Sequence, residues 1–417
     1  MRQSKLFTKT RREAPADETS KNAQLLIRAG YINKEMAGVY DYLPLGLLVL
    51  RNIENIIREE MNSLDCQEIL MSTLQRKELW QRTDRWDDEK IDVWFKSELK
   101  DGNAVGLGFT HEEPISNMLE QFVSSYKSLP FAVYQFQNKF RNEIRSKSGI
   151  MRTREFIMKD AYSFCRDEKD HQQIYAKYAE AYKRIFNRVG IGDKTYITYA
   201  SGGSFSKFSH EFQTITESGE DVIYIHKDDY GKGVNMEPNH AALNKEVYTD
   251  EVKKDLGLSG EFEEKKAVEV GNIFTLGTKF SDPYLTFTNE NGEKNSIFMG
   301  CYGIGLGRLM GTVVEVLSDD KGIIWPEAIA PFKYHLIEIP SQNEEVKKVA
   351  ESLYEKLKGN VIYDDRDLRA GEKFADADLL GMPFQIVVSE KTVAQGKVEI
   401  KDRKTGEVKL VEAGAIA

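Results

Sequence analysis

The stretch NKFRNEIRSKSGIMRTREFIMK, Asn138 to Lys159, holds seven Lys or Arg residues and only two acids, Glu143 and Glu155. The chain around it is acidic, with 58 basic against 67 acidic residues and a formal charge of −9. A basic cluster in an acidic chain meets an anion through local contacts, not through a global field. In a strand, residues i and i+2 share a face. Arg141 then sits beside Glu143, and Arg152 and Arg154 beside Phe156, on two strands joined by the loop RSKSG. Guanidinium groups bind phosphate bidentately, a carboxylate accepts from an exocyclic amine, and an aromatic ring stacks on a base. That is nucleotide chemistry. The competing explanation is an exposed, salt-bridged hairpin, because charge runs are usually solvated faces. Glu155 falls on the opposite face and is expected to be structural.

A second run shifts the balance. MGCYGIGLGRL places Gly303, Gly305 and Gly307 before Arg308. A glycine-rich turn opening a helix lets backbone amides approach an anion. The dinucleotide fingerprint GxGxxG fails here, because Arg308 stands where the third glycine belongs. No GxxxxGK[ST] occurs. His111 and Glu112 do not extend to HExxH, since Ile115 and Ser116 follow. Cys66, Cys165 and Cys301 are far apart. That spacing excludes a zinc ribbon and a disulfide framework and suits a reducing compartment such as the cytoplasm.

These residues need elements to hold them. Apolar residues at Leu47, Leu50, Ile53, Ile57 and Leu64 predict an amphipathic helix over 46–64. EILMSTL (68–74) reads as a strand, and 113–127 as a helix with Pro114 in its first turn. Residues 169–190 read as a long helix ended by Gly190. Residues 226–268 are polar with little periodicity and read as a linker or small insertion. PEAIAPF (326–332) reads as an interdomain linker. Beyond it a β-α-β-α-β pattern closes with a hairpin at DRKTGE. At 417 residues two or three domains are expected. No run of 18 apolar residues predicts a membrane span. The basic start, MRQSKLFTKTRR, lacks the apolar core of a secretory signal and the length of a transit peptide.

FRNE (140–143) with RTREF (152–156) resembles motif 2 of the class II aminoacyl-tRNA synthetases, GIGLGR (303–308) resembles motif 3, and the segment from Gly38 to Leu74 resembles motif 1. GFTHEEP (108–114), KDAYSF (159–164), SHEFQ (209–213), NIFTLGTKFSDP (272–283) and MGCYGIG (299–305) are similar to bacterial-type prolyl-tRNA synthetases. YDDRDLRAGEKFADADLLGMPFQIVV (363–388) is similar to the anticodon-binding domain of the same family. Ligases for histidine, threonine or glycine fit less well, because of THEE and SHEF. A non-catalytic paralog would have lost motif arginines, and Arg141 and Arg308 are present.

The resemblance implies an α+β catalytic domain on an antiparallel sheet (1–225 and 269–330). It implies a short remnant or linker at 226–268 in place of an editing domain, and an α/β anticodon-binding domain at 331–417. It implies activation of L-proline by ATP with Mg²⁺, then transfer to proline tRNA, by a homodimer with no permanent cofactor and no zinc. Arg141 and Arg308 become the catalytic cations. Arg141, Glu143, Arg152, Thr153, Phe156 and Arg308 take ATP. Thr110, Glu112, Arg141, His210, Cys301 and Gly303 take proline. Arg366, Arg369, Lys373 and Arg403 become the RNA-facing cations of the last domain, whose 332–417 segment holds 14 basic and 16 acidic residues. The sequence departs from the family at Ser72, where motif 1 carries proline, and in the longer SGGSFSKFSHEF (201–212). Without an editing domain, clearance of alanyl-tRNA is expected to need a separate hydrolase.

Overall fold

The structure is a computed structural model that describes residues 1–144, 148–202, 208–237 and 240–416. Positions 145–147 of the expected RSKSG loop, 203–207 of the longer segment before SHEF, and residue 417 lie outside the described residues. The chain divides into two compact units. One is Met1–Met36 with Tyr40–Ile53 and Val313–Ala417; the other is Ala37–Val39 with Glu54–Thr312.

In the larger unit the elements follow the hydrophobic pattern. Helix α1 (Pro44–Asn62), whose C-terminal part belongs here, buries Ile56, Ile57 and Met61. The strand expected over 68–74 is only β1 (Gln67–Glu68), with a separate strand at Leu74–Arg76. Between them side chains replace the ladder: Met71 N–H donates to Gln135 Oε1 at 3.0 Å, and Gln137 Nε2 donates to the Met71 carbonyl. Helix α2 (Glu112–Leu119) is shorter than expected. The chain leaves it to pair near Ser124, whose carbonyl accepts from Thr288 N–H at 2.9 Å.

Strand β2 (Phe131–Phe140) runs antiparallel to β3 (Glu155–Cys165). Helix α3 (Glu168–Arg188) starts at Asp167, which accepts from Asp170 N–H at 2.8 Å, and ends before Gly190 at φ 87°. Then come β4 (Thr195–Ser201), β5 (Phe208–Ile215), β6 (Asp221–His226), β7 (Ala242–Asn244), β8 (Phe262–Gly277) and β9 (Phe298–Gly305), with helix α4 (Leu306–Leu317) directly after. Among the described residues these form one sheet in the order β5-β4-β7-β6-β8-β9-β3-β2-β1. Strand β5 also pairs with β8, so β4 to β8 close on themselves. A free linker carries no ladder, yet residues 226–268 supply β7 and the start of β8. Ala242 and Leu243 pair with Thr198 and Tyr199.

The two faces of this sheet differ. One is covered by α3, whose Tyr178 stacks on Tyr302 at 3.6 Å and whose Tyr182 accepts from the buried Lys159 Nζ at 2.6 Å. The other carries Phe156, Met158, Asp160 and Tyr162 of β3, Asn272 of β8, and Cys301, Gly303 and Gly305 of β9, by the register of the ladders. Gly303 and Gly305 lie within β9 and not in a glycine-rich turn.

The smaller unit has the expected C-terminal pattern: β10 (Tyr334–Glu338), α5 (Glu344–Lys356), β11 (Val361–Asp364), α6 (Ala370–Leu380), β12 (Phe384–Val388), β13 (Lys397–Asp402) and β14 (Val408–Glu412). Strands β11-β10-β12 are parallel, and the β13–β14 hairpin extends them antiparallel. The N-terminal residues join this unit: the Met1 ammonium donates to the Val361 carbonyl at 2.7 Å. PEAIAPF is packed, not free. Ile329 is fully buried, and the Ala330 carbonyl accepts from Asn52 at 2.8 Å.

Three of the four expected RNA-facing cations are engaged inside this unit. Arg366 bonds Asp364 and Asp376, Lys373 donates to the Glu338 carbonyl at 2.6 Å, and Arg403 grips Asp319 through two bonds of 2.7 and 2.8 Å. Arg403 holds the Asp319 carboxyl well below the usual carboxylate range. A group whose pKa is lowered by folding adds stability above its unfolded value and loses it as pH falls. Asp319→Asn should therefore destabilise by about 1–2 kcal/mol at pH 7, a bidentate charged pair discounted for solvent. The discount is needed because the Asp319 side chain is 42% exposed. Thermal unfolding should show the full deficit at pH 7, a deficit that begins to shrink below about pH 4 and vanishes only as pH falls through the lowered value of the folded Asp319 carboxyl.

Candidate active site

Beyond the last ladder pair of β2 and β3, Phe140 with Glu155, the chain stays paired by Arg141 N–H to the Arg154 carbonyl at 2.8 Å. A cleft opens there in the larger unit. Its wall includes Arg141, Glu143, Arg152, Thr153, Phe156 and Arg308, which the structure brings together. Arg154 does not join them. Its guanidinium turns away to the carbonyls of Glu143 and Ala37, at 3.1 and 2.6 Å. Glu155 is exposed.

The Arg141 guanidinium has no ion pair among the described residues; the one hydrogen bond it makes there is to the Phe109 carbonyl at 3.4 Å. Burial, and then the charge of Arg308, pull its guanidinium below the usual arginine range. Arginine stays charged in proteins, so the site holds a desolvated cation that calls for an anion. Its guanidinium carbon lies 5.3 Å from the centroid of Phe156. Glu143 is fixed by Arg152 at 2.8 and 3.2 Å, both bonds ending on Oε2. Oε1 has no hydrogen bond among the described residues and is open to an amine. Arg152 is held from its other side by Glu220 at 2.6 Å. Arg308 is aimed from the first turn of α4 by the Met151 carbonyl at 2.8 Å and the Glu269 carbonyl at 3.2 Å. Glycine at 303 keeps the floor flat: a Cβ there would sit 3.0 Å from Asn272 Oδ1.

A second group adjoins Arg141 through Phe109. Thr110 Oγ1 donates to Glu112 at 2.7 and 2.8 Å, and Cys301 Sγ lies 3.7 Å from Glu112 Oε1. Burial, then Glu112, push the Cys301 thiol far above its usual range. Glu112 opens α2, where the helix dipole favours a carboxylate. Arg85 supports it at 3.4 Å and Glu113 at 2.9 Å. The Arg85 guanidinium is itself boxed by the rings of Trp80, Phe109 and Phe280 at 5.1–5.2 Å. Burial raises the Glu113 carboxyl to about 7.

His210 is not brought to this group. It pairs with Ile273 on the α3 face, and its Nδ1 meets Tyr175 Oη at 2.7 Å. Burial lowers its pKa to about 4, so the ring is neutral. Its neighbour Glu211 shares the face of Asn272 instead. Burial, then Glu269, raise Glu211 to about 7.

Sequence reading missed Glu269, Asn272, Arg85 and Glu113. A bulge explains the first two. Phe212 pairs with Gly271 but Gln213 with Glu269, leaving Val270 extra. Residues three apart ordinarily face opposite ways in a strand; the bulge turns both toward the cleft. Asn272 Nδ2 donates to Glu269 Oε1 at 2.6 Å, and Glu269 Oε2 lies 3.4 Å from Arg308. The carboxylate of Glu269 and the side-chain oxygen of Asn272, beside Arg308, are oxygen donors of the kind that could hold Mg²⁺. Elsewhere among the described residues, His226, Asp229 and His240 bring ligand-type atoms within 4.8 Å of one another. Asp229 there already accepts from Glu237 N–H and His240 and faces Lys232, the pattern of a fastened loop.

Residues 94–317 match the family described as tRNA synthetase class II core domain (G, H, P, S and T), and residues 328–416 match the anticodon binding domain. The chain is 39% identical over 415 residues to the proline–tRNA ligase of Ehrlichia ruminantium (strain Gardel), spanning 97% of this chain and 96% of that one. It is 38% identical over 428 residues to that of Caulobacter vibrioides (strain NA1000 / CB15N), spanning 98% and 96%. Its fold is similar to the prolyl-tRNA synthetase from Cryptosporidium parvum complexed with L-proline and AMP (TM-score 0.75, 16% identity, 94% of this chain and 72% of that one). It is also similar to that of Giardia lamblia in complex with prolyl-adenylate (TM-score 0.75, 18% identity, 94% and 74%).

Proposed function

Since this chain belongs to the proline–tRNA ligases built on the class II synthetase core, we propose that its cleft activates L-proline with ATP and passes the prolyl group to proline tRNA. The observation that carries this is Arg141, a half-buried guanidinium without an acidic partner among the described residues, beside Arg308. A proline carboxylate oxygen attacks the α-phosphorus, pyrophosphate leaves, and prolyl-adenylate forms. A ribose hydroxyl at the tRNA 3′ end then attacks the activated carbonyl and releases AMP. The first nucleophile is already ionised, so positioning and charge stabilisation suffice, with no protein general base.

In this reading Arg141 bridges the proline carboxylate and the α-phosphate. Glu143 accepts from the adenine amine, Phe156 stacks on the base, Arg152 and Thr153 line its edge, and Arg308 meets the outer phosphates. Glu112, with Thr110, holds the protonated ring nitrogen of proline, and Cys301 and Gly303 form the wall. ATP enters as its Mg²⁺ complex; Glu269 and the Asn272 side-chain oxygen would hold the ion, which would supply charge to offset the phosphates. The test is pyrophosphate exchange into ATP measured with each of the standard amino acids. Proline should dominate; exchange driven better by another amino acid, or by none, would overturn the reading.

Within the expected 1–225 and 269–330, we assign the part in the larger unit, 54–225 and 269–312, to catalysis; 226–268 takes the place of an editing domain, and 331–417 serves the anticodon in a unit that also includes Met1–Met36, Tyr40–Ile53 and 313–330. The enzyme works as a homodimer in the cytoplasm. Leu70 and Leu74, 76% and 55% exposed around Ser72, support a covered face there. A pocket for proline also admits alanine, since each missing methylene is rejected by only about 1–3 kcal/mol. The weaving of 226–268 into the sheet leaves no separate hydrolytic domain in that segment. Purified protein incubated with pre-formed alanyl-tRNA for proline should therefore show no deacylation above the spontaneous rate, and clearance falls to a hydrolase acting in trans.

A further inference from the structure

We propose that a groove in the smaller unit binds the phosphate backbone of RNA without reading bases; this rests on the reading that tRNA is the substrate. The groove has a volume of about 770 Å³ and lies between the N-terminal arm, the end of helix 21–28, Lys321 and α6. Lys9, Arg11, Arg12, Arg28 and Lys321 line it. None of the five has an ion pair among the described residues. Arg11, Arg12 and Lys321 are exposed, and the Arg28 Nε is buried without a hydrogen-bond partner.

The acids of the groove do not balance them. Asp376 is engaged by Thr10 at 2.7 Å and Arg366 at 2.9 Å, and Asp378 by Lys401 at 2.9 Å. Only Glu372 faces the five cations without a cationic partner among the described residues. The Thr10–Asp376 bond and the Arg11 N–H to Arg28 carbonyl bond of 2.8 Å fix the arm in place. The cations are therefore presented by an ordered backbone. In a chain of charge −9, five cations without ion pairs line one groove with Glu372 as the one acid left without a cationic partner among the described residues, an excess of positive charge that suits a polyanion. A single phosphate is too small to meet residues on three separate elements. No aromatic side chain lines the groove, so it lacks the stacking platform that base recognition uses. Cationic contacts without stacking or base-edge partners position RNA and carry no sequence information. The smaller unit thereby gains the unpaired charge that Arg366, Lys373 and Arg403 do not supply.

The test uses the full-length protein with the exposed cations changed together, Arg11→Gln, Arg12→Gln and Lys321→Gln. Kd for proline tRNA is measured between 50 and 200 mM salt. Each phosphate contact contributes about 0.7–0.9 to the slope of log Kd against log salt, so the slope should fall by about 2. Binding at the lower salt should weaken at least about tenfold, equally for an unrelated RNA hairpin of the same length. Proline-dependent pyrophosphate exchange should not change, and Arg28→Gln added to the set should weaken binding further. An unchanged slope overturns the proposal. So does a loss confined to proline tRNA, because that reports base reading. Failure of proline-dependent exchange in the unaltered protein would sink the functional reading instead, and the salt slope would still judge the groove.

Discussion

Arg141→Ala is expected to lower proline-dependent pyrophosphate exchange by at least about 10²–10³-fold, the cost of losing one preorganised donor at a developing charge. The loss should fall on kcat more than on KM, because the new charge appears at the α-phosphorus as the oxygen bond forms. Stability should move the other way. Arg141 is a half-buried cation with no acidic partner among the described residues, so its removal deletes a partial desolvation cost and no ion pair. Thermal unfolding should therefore be unchanged or slightly raised. Arg141→Lys keeps the charge but loses the fork, and should recover only part of the rate. Exchange within about tenfold of the unaltered protein, against that expected loss, would remove Arg141 from the reacting centre.

Glu112→Gln is expected to raise KM for proline by roughly 30-fold to several thousand-fold. That range follows from about 2–5 kcal/mol for removing one partner of a buried charge pair, at 1.4 kcal/mol per tenfold. Gln has nearly the same shape, so packing against Cys301 and Thr110 is kept and the missing charge is isolated. KM for ATP should stay constant. Glu113 provides the control, because its carboxylate is held by Arg85 and by Thr83 at 2.7 Å. Glu113→Gln should act on proline only through the looser placement of Arg85, with a much smaller effect. A proline KM unmoved by Glu112→Gln would mean the ring nitrogen is held elsewhere.

Legibility in the sequence followed the range of the signal. The C-terminal β-α-β-α-β pattern and helix α3 were readable because each is fixed by local periodicity and local breakers, such as Gly190. Arg141 and Arg308 were readable by residue type. What failed depended on register. Whether His210 or its neighbour faces the cleft is a one-residue matter that decides which face of β5 a side chain takes, and only its pairing with β8 reveals it. Glu269 and Asn272 face one way because of a bulge at Val270 that leaves no compositional trace. Residues 226–268 left a linker and a small insertion both open because β7 spans only Ala242–Asn244, too few residues for alternation to register. The three engaged cations of the last domain were misjudged because side-chain charge says nothing about whether an acid such as Asp319 waits nearby.

The closure of β4 to β8 bears on how this chain survives its own synthesis. A sheet ordinarily ends in rows of unpaired amides that recruit other chains. Here β5, first in the sheet order, is paired on both sides, by β4 and β8. The other end is β1, two residues long. Once β8 has docked, the β5 end of the sheet offers stray strands no template, and what remains open is the stretch of β2 beyond Tyr134 that the two-residue β1 does not cover. Edge-to-edge aggregation through β5 should therefore come from chains truncated or stalled ahead of β8.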